Sequence, residues 1–346
     1  MPGSFQTGNV GPGNFSTLQT LTTAKYLQEN LFDNISSRST LAKFFADSDV
    51  NDKFREQLGM RPRRRPFHSG QQIEVPVRYQ LGTSKWINGS TPLDTARHEY
   101  ATIGKYQWKE FVSPPVSLNR RIKAINAGNE TKILDVMLAD TEQSMISMIE
   151  DLETAMGGTN ASDSNQVLGL RNLVEDSSTS TIGGINRTTN SFWQNQTFTT
   201  TIANFGTSFA GFRAMEELWQ DVERGAQVPD VIFTTKDIQR YYRQFLVENG
   251  TWNTFEHPER SSDLGRGTPW FHGAPVVQTT GVAAEHMYML NTDTIFLTFM
   301  EGQDFVETGM VQEFGSFNQV SYIYLMAAFL VTEPARNGVI TDIDAY

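Results

Sequence analysis

The stretch QIEVPVRYQ, Gln72–Gln80, sets apolar Ile73, Val75 and Val77 on alternate positions between polar neighbours, the period of a strand with one covered face. Pro76 falls inside the run and removes a backbone N–H, which predicts an edge or free-standing strand rather than a central one. Tyr100–Val112 (YATIGKYQWKEFV) alternates similarly, and the intervening LGTSKWINGSTPLDTARHE is dense in turn formers. The two runs predict a long two-stranded hairpin with an elaborate tip. A ribbon of this kind is marginal alone in water, so a long one without a local core implies cover from another chain.

Immediately downstream lies the strongest helical pattern. Across Asn129–Met156, Leu134, Leu138, Met145, Met148, Ile149, Leu152 and Met156 recur at three- and four-residue intervals, and Gly157-Gly158 ends the run. From Thr131 such a helix would extend about 39 Å, the length of a spine through an extended subunit. Met145, Met148 and Met156 read as core packing.

Upstream, residues 1 to about 23 are rich in Gly, Ser, Thr and Asn and read as an arm without its own core. Thr23–Leu31 reads as a short helix, and Ser37–Ala46 carries Leu41, Phe44 and Phe45 as docking points. The dense basic run Arg61-Pro-Arg-Arg-Arg-Pro66 is bounded by prolines that keep it out of a helix interior. It predicts an exposed, extended segment whose Arg61, Arg63, Arg64 and Arg65 meet an acidic partner subunit, with nucleic acid as the second choice.

Downstream of the helix the pattern becomes mixed. Ser180–Trp193, STIGGINRTTNSFW, pairs two glycines with Arg187 and Trp193, but Gly183-Gly184 is not followed by the Gly-Lys-Ser/Thr of a phosphate loop. The glycines allow a tight turn, the guanidinium offers a planar donor and the indole a large apolar anchor, so the segment reads as structural. Phe205–Arg224 predicts a helix, Pro229–Thr234 a buried strand, and Lys236–Val247 a helix capped by Thr235. Glu248–Gly273 reads as a long loop. Ala274–Thr280, His286–Leu290, Thr294–Met300, Asp304–Gln312 and Val320–Val331 read as strands.

Composition excludes several function classes. With 38% hydrophobic and 19% charged residues, the 346-residue chain is too apolar for disorder and large enough for an extensive core. A net charge of −11 disfavours polyanion binding over a broad face, and the absence of cysteine removes disulfides, thiolate catalysis and zinc fingers. His68, His98, His257, His272 and His286 form no ligand-spaced pair, and no nucleophile elbow or dinucleotide fingerprint occurs. No catalytic, cofactor-binding or metal-ligating residue is therefore assigned. The N-terminus lacks an export signal and no apolar run is long enough to span a membrane, so the reading is a soluble cytoplasmic product with no membrane partner.

The order of these elements resembles the major capsid proteins of tailed bacteriophages, the Hong Kong 97-like fold. GLRNL (169–173), GGINR followed by Trp193, VPDVIFTTKD (228–237), HGAPVV (272–277) and the closing GSFNQVSYIYLMAAFLVTEPARNGVITDI (315–343) resemble segments of that family. The resemblance implies an α+β fold with an N-terminal arm (1–66), an E-loop hairpin (67–115), a peripheral domain with a spine helix (116–164), an axial domain (165–300) and peripheral return strands (301–346). It implies shell building from pentamers and hexamers around double-stranded DNA in a virion, assembled in the bacterial host cytoplasm. Portal, scaffolding and decoration proteins are the expected partners. An encapsulin-like compartment around a cargo enzyme is the alternative.

The resemblance also implies site roles. Lys85, Trp86 and Asn88 at the hairpin tip should lie on an adjacent subunit, where Arg61, Arg63, Arg64 and Arg65 meet acidic groups. Glu256, Glu259, Arg260, Asp263 and Arg266 should sit on the loop at the capsomer axis, and Gly183, Gly184, Arg187 and Trp193 at the entry to the axial domain. Some family members crosslink a hairpin lysine to an asparagine. Lys85 and Asn337 fall in comparable regions, but the hairpin tip departs from that pattern and no crosslink is expected.

Overall fold

A computed structural model describes residues 40–46, 64–67, 70–80, 101–118, 120, 130–159, 165–225, 227–249 and 269–344. Two compact units emerge from it: a smaller one of Met1–Ser36, Val112–Met148 and Phe305–Tyr324, and a larger one of Ser37–Phe111, Ile149–Asp304 and Leu325–Tyr346.

The larger unit carries a six-stranded sheet in the order Trp270–Phe271, Ala274–Gln278, Val231–Thr234, Met287–Leu290, Gly338–Ile340, Gln196–Phe198. Val231–Thr234 lies inside the sheet, parallel to Ala274–Gln278 and antiparallel to Met287–Leu290, and all four of its residues are buried. Two helices, Ala210–Val222 and Lys236–Glu248, add Met215, Leu218, Tyr242 and Phe245 to the core beside this sheet. The Thr235 hydroxyl accepts the Ile238 N–H at 3.5 Å, the N-cap its sequence predicts. The helix expected from Phe205 begins only at Ala210, because Ser208 and Phe209 hold left-handed backbone angles (φ 53° and 61°).

Strand pairing crosses the boundary drawn at residue 300. Gly338–Ile340, expected among the peripheral strands, inserts between Met287–Leu290 and Gln196–Phe198. Ile295–Met300 instead pairs antiparallel with Ile323–Val331 and parallel with Arg64–Phe67. The turn Asn291–Thr294 joins the two sheets and is held by buried Asn337, whose Oδ1 accepts the Asn291 N–H (2.9 Å) while Nδ2 donates to Thr294 Oγ1 (2.9 Å). Asn337 has no exposed surface.

The hairpin exists, with Gln72–Arg78 antiparallel to Ala101–Gln107 and Ile73 opposite Tyr106. It is shorter than the sequence pattern implies, because Lys109–Val112 leaves the ribbon to pair with Ile323–Val331. The docking points Leu41 and Phe45 are fully buried on the helix Thr40–Ala46, with Phe45 edge-on to Phe329 (5.0 Å) and Phe44 edge-on to Phe233 (5.1 Å).

In the smaller unit, Val116–Leu118, Gln319–Ser321 and Val311–Gln312 form a three-stranded sheet. Asp140 accepts the Ser117 N–H at 3.3 Å, and burial raises its pKa. The strand expected over Asp304–Gln312 breaks at Gly309 (φ 74°). The one expected over Val320–Val331 breaks at Tyr322, whose N–H goes to the Thr308 hydroxyl (3.0 Å).

The predicted spine helix is Glu130–Gly157, one residue past the expected end. Met148 and Met156 are buried as expected, whereas Met145 is 37% exposed and corrects its assignment to the core. Glu153 is the helix's buried polar anchor. Its Oε2 accepts the Ala42 N–H (2.5 Å) at the start of Thr40–Ala46, supplying an acceptor to a donor with no intrahelical partner, and its Oε1 accepts the Thr279 hydroxyl. Gly157 then lets two backbones touch: a Cβ there would sit 1.6 Å from the Gly281 carbonyl oxygen. Gly157→Ala should therefore lower stability by about 1–3 kcal/mol in thermal melts, although the same change inside an open helix adds about 1 kcal/mol. An unchanged or raised melting temperature would contradict the close approach.

Candidate functional site

The hairpin base, which the sequence pattern leaves without a local core, is pinned within the larger unit. Ile73, Val77 and Tyr106 are buried on one face, while Glu74, Pro76, Ile103 and Lys105 are exposed on the other. The segment Ser180–Trp193 supplies the anchor. Thr181–Ile182 and Ile185–Asn186 form a small hairpin through Gly183 and Gly184, both at positive φ (59° and 75°), the pair of left-handed residues a two-residue turn of this hand requires. The Gly183 carbonyl accepts the Lys105 N–H at 2.8 Å, attaching the turn to the ribbon.

Trp193 fills the space under this junction. It is fully buried, its Nε1 donates to the Ile182 carbonyl (3.0 Å), and a Cβ on Gly104 would lie 3.7 Å from its ring. Tyr106 donates its hydroxyl to the Val331 carbonyl (2.6 Å), and burial pushes its pKa far above the usual phenol range.

Arg187 has no exposed surface. Its Nη2 donates to the Leu173 carbonyl (2.5 Å) and its Nη1 to the Asn172 carbonyl (3.3 Å), with Glu175 Oε2 3.8 Å from Nη1. Burial lowers its pKa to about 10 against the opposing pull of Glu175 and Tyr106, so it stays charged at neutral pH. The guanidinium thus serves the carbonyls at the end of the one-turn helix Leu170–Leu173.

Of the basic segment's arginines, Arg65 is the one whose side chain is described, and it is turned onto its own chain. Arg64–Phe67 is a paired strand, and Arg65 is half-buried, donating to the Asp293 carbonyl (3.0 Å) with its guanidinium 3.4 Å over the Phe296 ring. Arg65, expected on an exposed segment facing an acidic partner subunit, makes these contacts within its own chain. A strand paired with Ile295–Met300 brings it onto its own chain. Arg64 is described as strand backbone only. Arg61, Arg63, Lys85, Trp86, Asn88, Glu256, Glu259, Arg260, Asp263 and Arg266 lie outside the described residues.

An open cleft of about 920 Å³ is lined by Lys109, Glu150, Asp151, Arg171, Gly157 and Val282 among others. Its ionisable lining is of mixed sign and includes no histidine. Among the described residues no cluster of three or more His, Cys, Asp or Glu could hold a metal ion, and no helix is long and apolar enough to cross a membrane.

Sequence reasoning passed over a second buried polar group. His286, 9% exposed, places Nδ1 2.5 Å from the Ala284 carbonyl and Nε2 3.3 Å from Asp176 Oδ2, with the Tyr288 ring stacked at 6.1 Å. Arg171 reaches the same carboxylate at 3.4 Å. The signal was unreadable because Asp176 and His286 are far apart in the chain.

Comparison with solved structures gives the class. Over 94% of this chain and 99% of the other, the fold superposes on the cyanophage A-1(L) capsid asymmetric unit with a TM-score of 0.60 at 15% identity. The capsid of a native GTA particle covers 98% of this chain and is itself covered in full, with a TM-score of 0.59 at 9% identity. The holo-SrpI encapsulin complex from Synechococcus elongatus covers 96% of this chain, with 95% of its own length matched, at a TM-score of 0.58 and 10% identity. No protein-family model and no curated protein matches the sequence. The chain has the α+β Hong Kong 97-like capsid fold.

The His286–Asp176 contact has a defined pH window. Burial pulls the His286 pKa down, but Asp176 and the Ala284 carbonyl outweigh it, and the net shift is upward from 6.5. Contact with His286 leads the influences that hold Asp176 below 3.8. The histidine's contribution is complete below 6.5 and is lost as pH rises through its raised folded value. The aspartate's is present above 3.8 and is lost as pH falls through its depressed one. His286→Gln should cost about 1 kcal/mol near pH 5–6, a deficit that closes at alkaline pH. Melting curves that stay parallel across this range would remove the pair from the stability account.

Proposed function

We propose that this chain is the building block of a protein shell, the major capsid protein of a tailed bacteriophage. Many copies form pentamers and hexamers that close into an icosahedral container for double-stranded DNA. The observation that carries the reading is the likeness to capsid subunits in matches spanning 94–98% of the chain.

The physical chemistry supports it. A ribbon with Ile103 49% exposed and Pro76 exposed on its outer face gains stability when a neighbour covers that face, because association with the folded state stabilises it. A subunit of net charge −11 gives a lining that does not grip packaged DNA over its whole surface. The hairpin tip (Lys85, Trp86, Asn88), the basic residues Arg61, Arg63 and Arg64, and the loop bearing Glu256, Glu259, Arg260, Asp263 and Arg266 are assigned to contacts between copies. Gly183, Gly184, Arg187 and Trp193 mark the entry to the axial domain. Portal, scaffolding and decoration proteins are partners in this reading, the virion is the location, and assembly takes place in the host bacterial cytoplasm.

The encapsulin likeness defines the competing container, one filled with a cargo enzyme. Sedimentation of the full-length chain from infected or expressing cells, with the 260/280 nm absorbance ratio of the particles, separates the readings. Megadalton particles rich in DNA support the capsid, protein-filled particles without DNA support the compartment, and a small oligomer rejects both. Arg61→Ala, Arg63→Ala and Arg64→Ala together, sparing the intrachain Arg65, should reduce particle yield about tenfold or more while leaving the subunit melting temperature unchanged. Wild-type yield would reject the basic segment as a contact.

A further inference from the structure

Three asparagines in this chain precede glycine: Asn88, Asn249 and Asn337. Such a dipeptide is chemically labile, because a glycine nitrogen carries no side chain to hinder its closing on the asparagine amide ahead of it. The third pair lies where the two sheets of the larger unit meet, and each of its residues is there for a separate reason.

Asn337 is required for its hydrogen bonds. Its side chain accepts the Asn291 N–H (2.9 Å) and donates to Thr294 Oγ1 (2.9 Å) and to the Glu333 carbonyl (3.3 Å). Its own N–H donates to the Pro334 carbonyl (2.9 Å), and its carbonyl accepts the Gln196 N–H (3.0 Å). Gly338 is required for space. A Cβ there would sit 2.7 Å from Leu218 Cδ1 and 2.8 Å from Val222 Cγ2, both buried side chains of the helix Ala210–Val222. Hydrogen bonding and packing together place a labile pair where an inert one would not fit.

Deamidation needs the Gly338 nitrogen to give up its proton and bond to Asn337 Cγ. The Cγ–Nδ2 bond breaks, that nitrogen leaves as ammonia, and water opens the resulting succinimide to aspartate or isoaspartate. Water is the one co-reactant. The folded chain keeps the reacting groups off this path. Asn337 is extended (φ −126°, ψ 143°), both polar atoms of its amide are partnered, and Gly338 lies in a strand paired on both sides. Bringing nitrogen and carbon to reacting distance would break these bonds together.

The product does not suit the site it comes from. A carboxylate at position 337 would be fully buried and would set an oxygen against the Glu333 carbonyl, where the amide nitrogen now donates. Isoaspartate would also lengthen the main chain by one atom beside the tightly packed Gly338.

We propose that Asn337–Gly338 is a latent deamidation site, shielded by the fold and released by unfolding, so that a chain left unfolded becomes one that cannot return to this structure. Nothing in this chemistry depends on assembly. The full-length chain is incubated at mildly alkaline pH, once folded and once in guanidinium chloride, and conversion of amide to acid at each Asn-Gly peptide is followed by mass spectrometry. In denaturant Asn88 and Asn249 set the unprotected rate, and Asn337 should react alongside them. In the folded chain Asn337 should react at least about a hundredfold more slowly, because native proteins are unfolded about 10⁻³ of the time or less. Asn337→Asp, which makes the aspartate product directly, should melt at least about 5 °C below the wild-type chain or fail to fold.

Equal rates at Asn337 in the folded and denatured chain overturn the shielding, whatever the variant does. An Asn337 that stays intact in denaturant while Asn88 and Asn249 convert overturns the site itself. A wild-type melting temperature for Asn337→Asp overturns the block to refolding.

Discussion

A two-stranded ribbon has two faces and no interior, so its stability is borrowed from whatever covers it. In this chain one face is covered locally. Trp193 sits beneath Gly104, Tyr106 reaches the Val331 carbonyl, and the Gly183 carbonyl takes the Lys105 N–H. Each contact needs the others. The turn must be left-handed at two successive residues to present that carbonyl, and Arg187 must be buried against the Asn172 and Leu173 carbonyls to hold the segment leading away from it. The opposite face of the ribbon, with Ile103 and Pro76, is open.

The same economy of polar side chains recurs in the larger unit. Glu153 gathers the Ala42 N–H and the Thr279 hydroxyl onto one helix position, and Asn337 fixes the turn between two sheets from both ends. Buried polar groups with every partner in place specify a single arrangement, since any alternative packing would strand a carboxylate or an amide without partners. Elements distant in the chain are thereby held in one geometry.

Much of this was legible in the sequence because it rests on local patterns. The alternation across Gln72–Gln80 and the three- and four-residue spacing before Gly157-Gly158 located the ribbon and the long helix, and Leu41 and Phe45 were marked as docking points, though not as a helix. Long-range pairing was not legible. The pairing of Arg64–Phe67 with Ile295–Met300, which turns Arg65 onto its own chain, and the pairing of Gly338–Ile340 with Met287–Leu290 join segments too far apart for any local pattern to reveal. Gly157 reads as a helix stop, yet its meaning is contact with Gly281, more than a hundred residues away.

The ribbon is anchored at its base by its own chain, and under the proposed shell function its open face is covered by another copy. Electron cryomicroscopy of particles assembled from the full-length chain tests it directly. The account predicts closed shells in which Trp193 contacts the hairpin of its own subunit while Ile103 and Pro76 lie against a neighbouring copy. Small open oligomers, or shells in which that face of the ribbon remains in solvent, would contradict it.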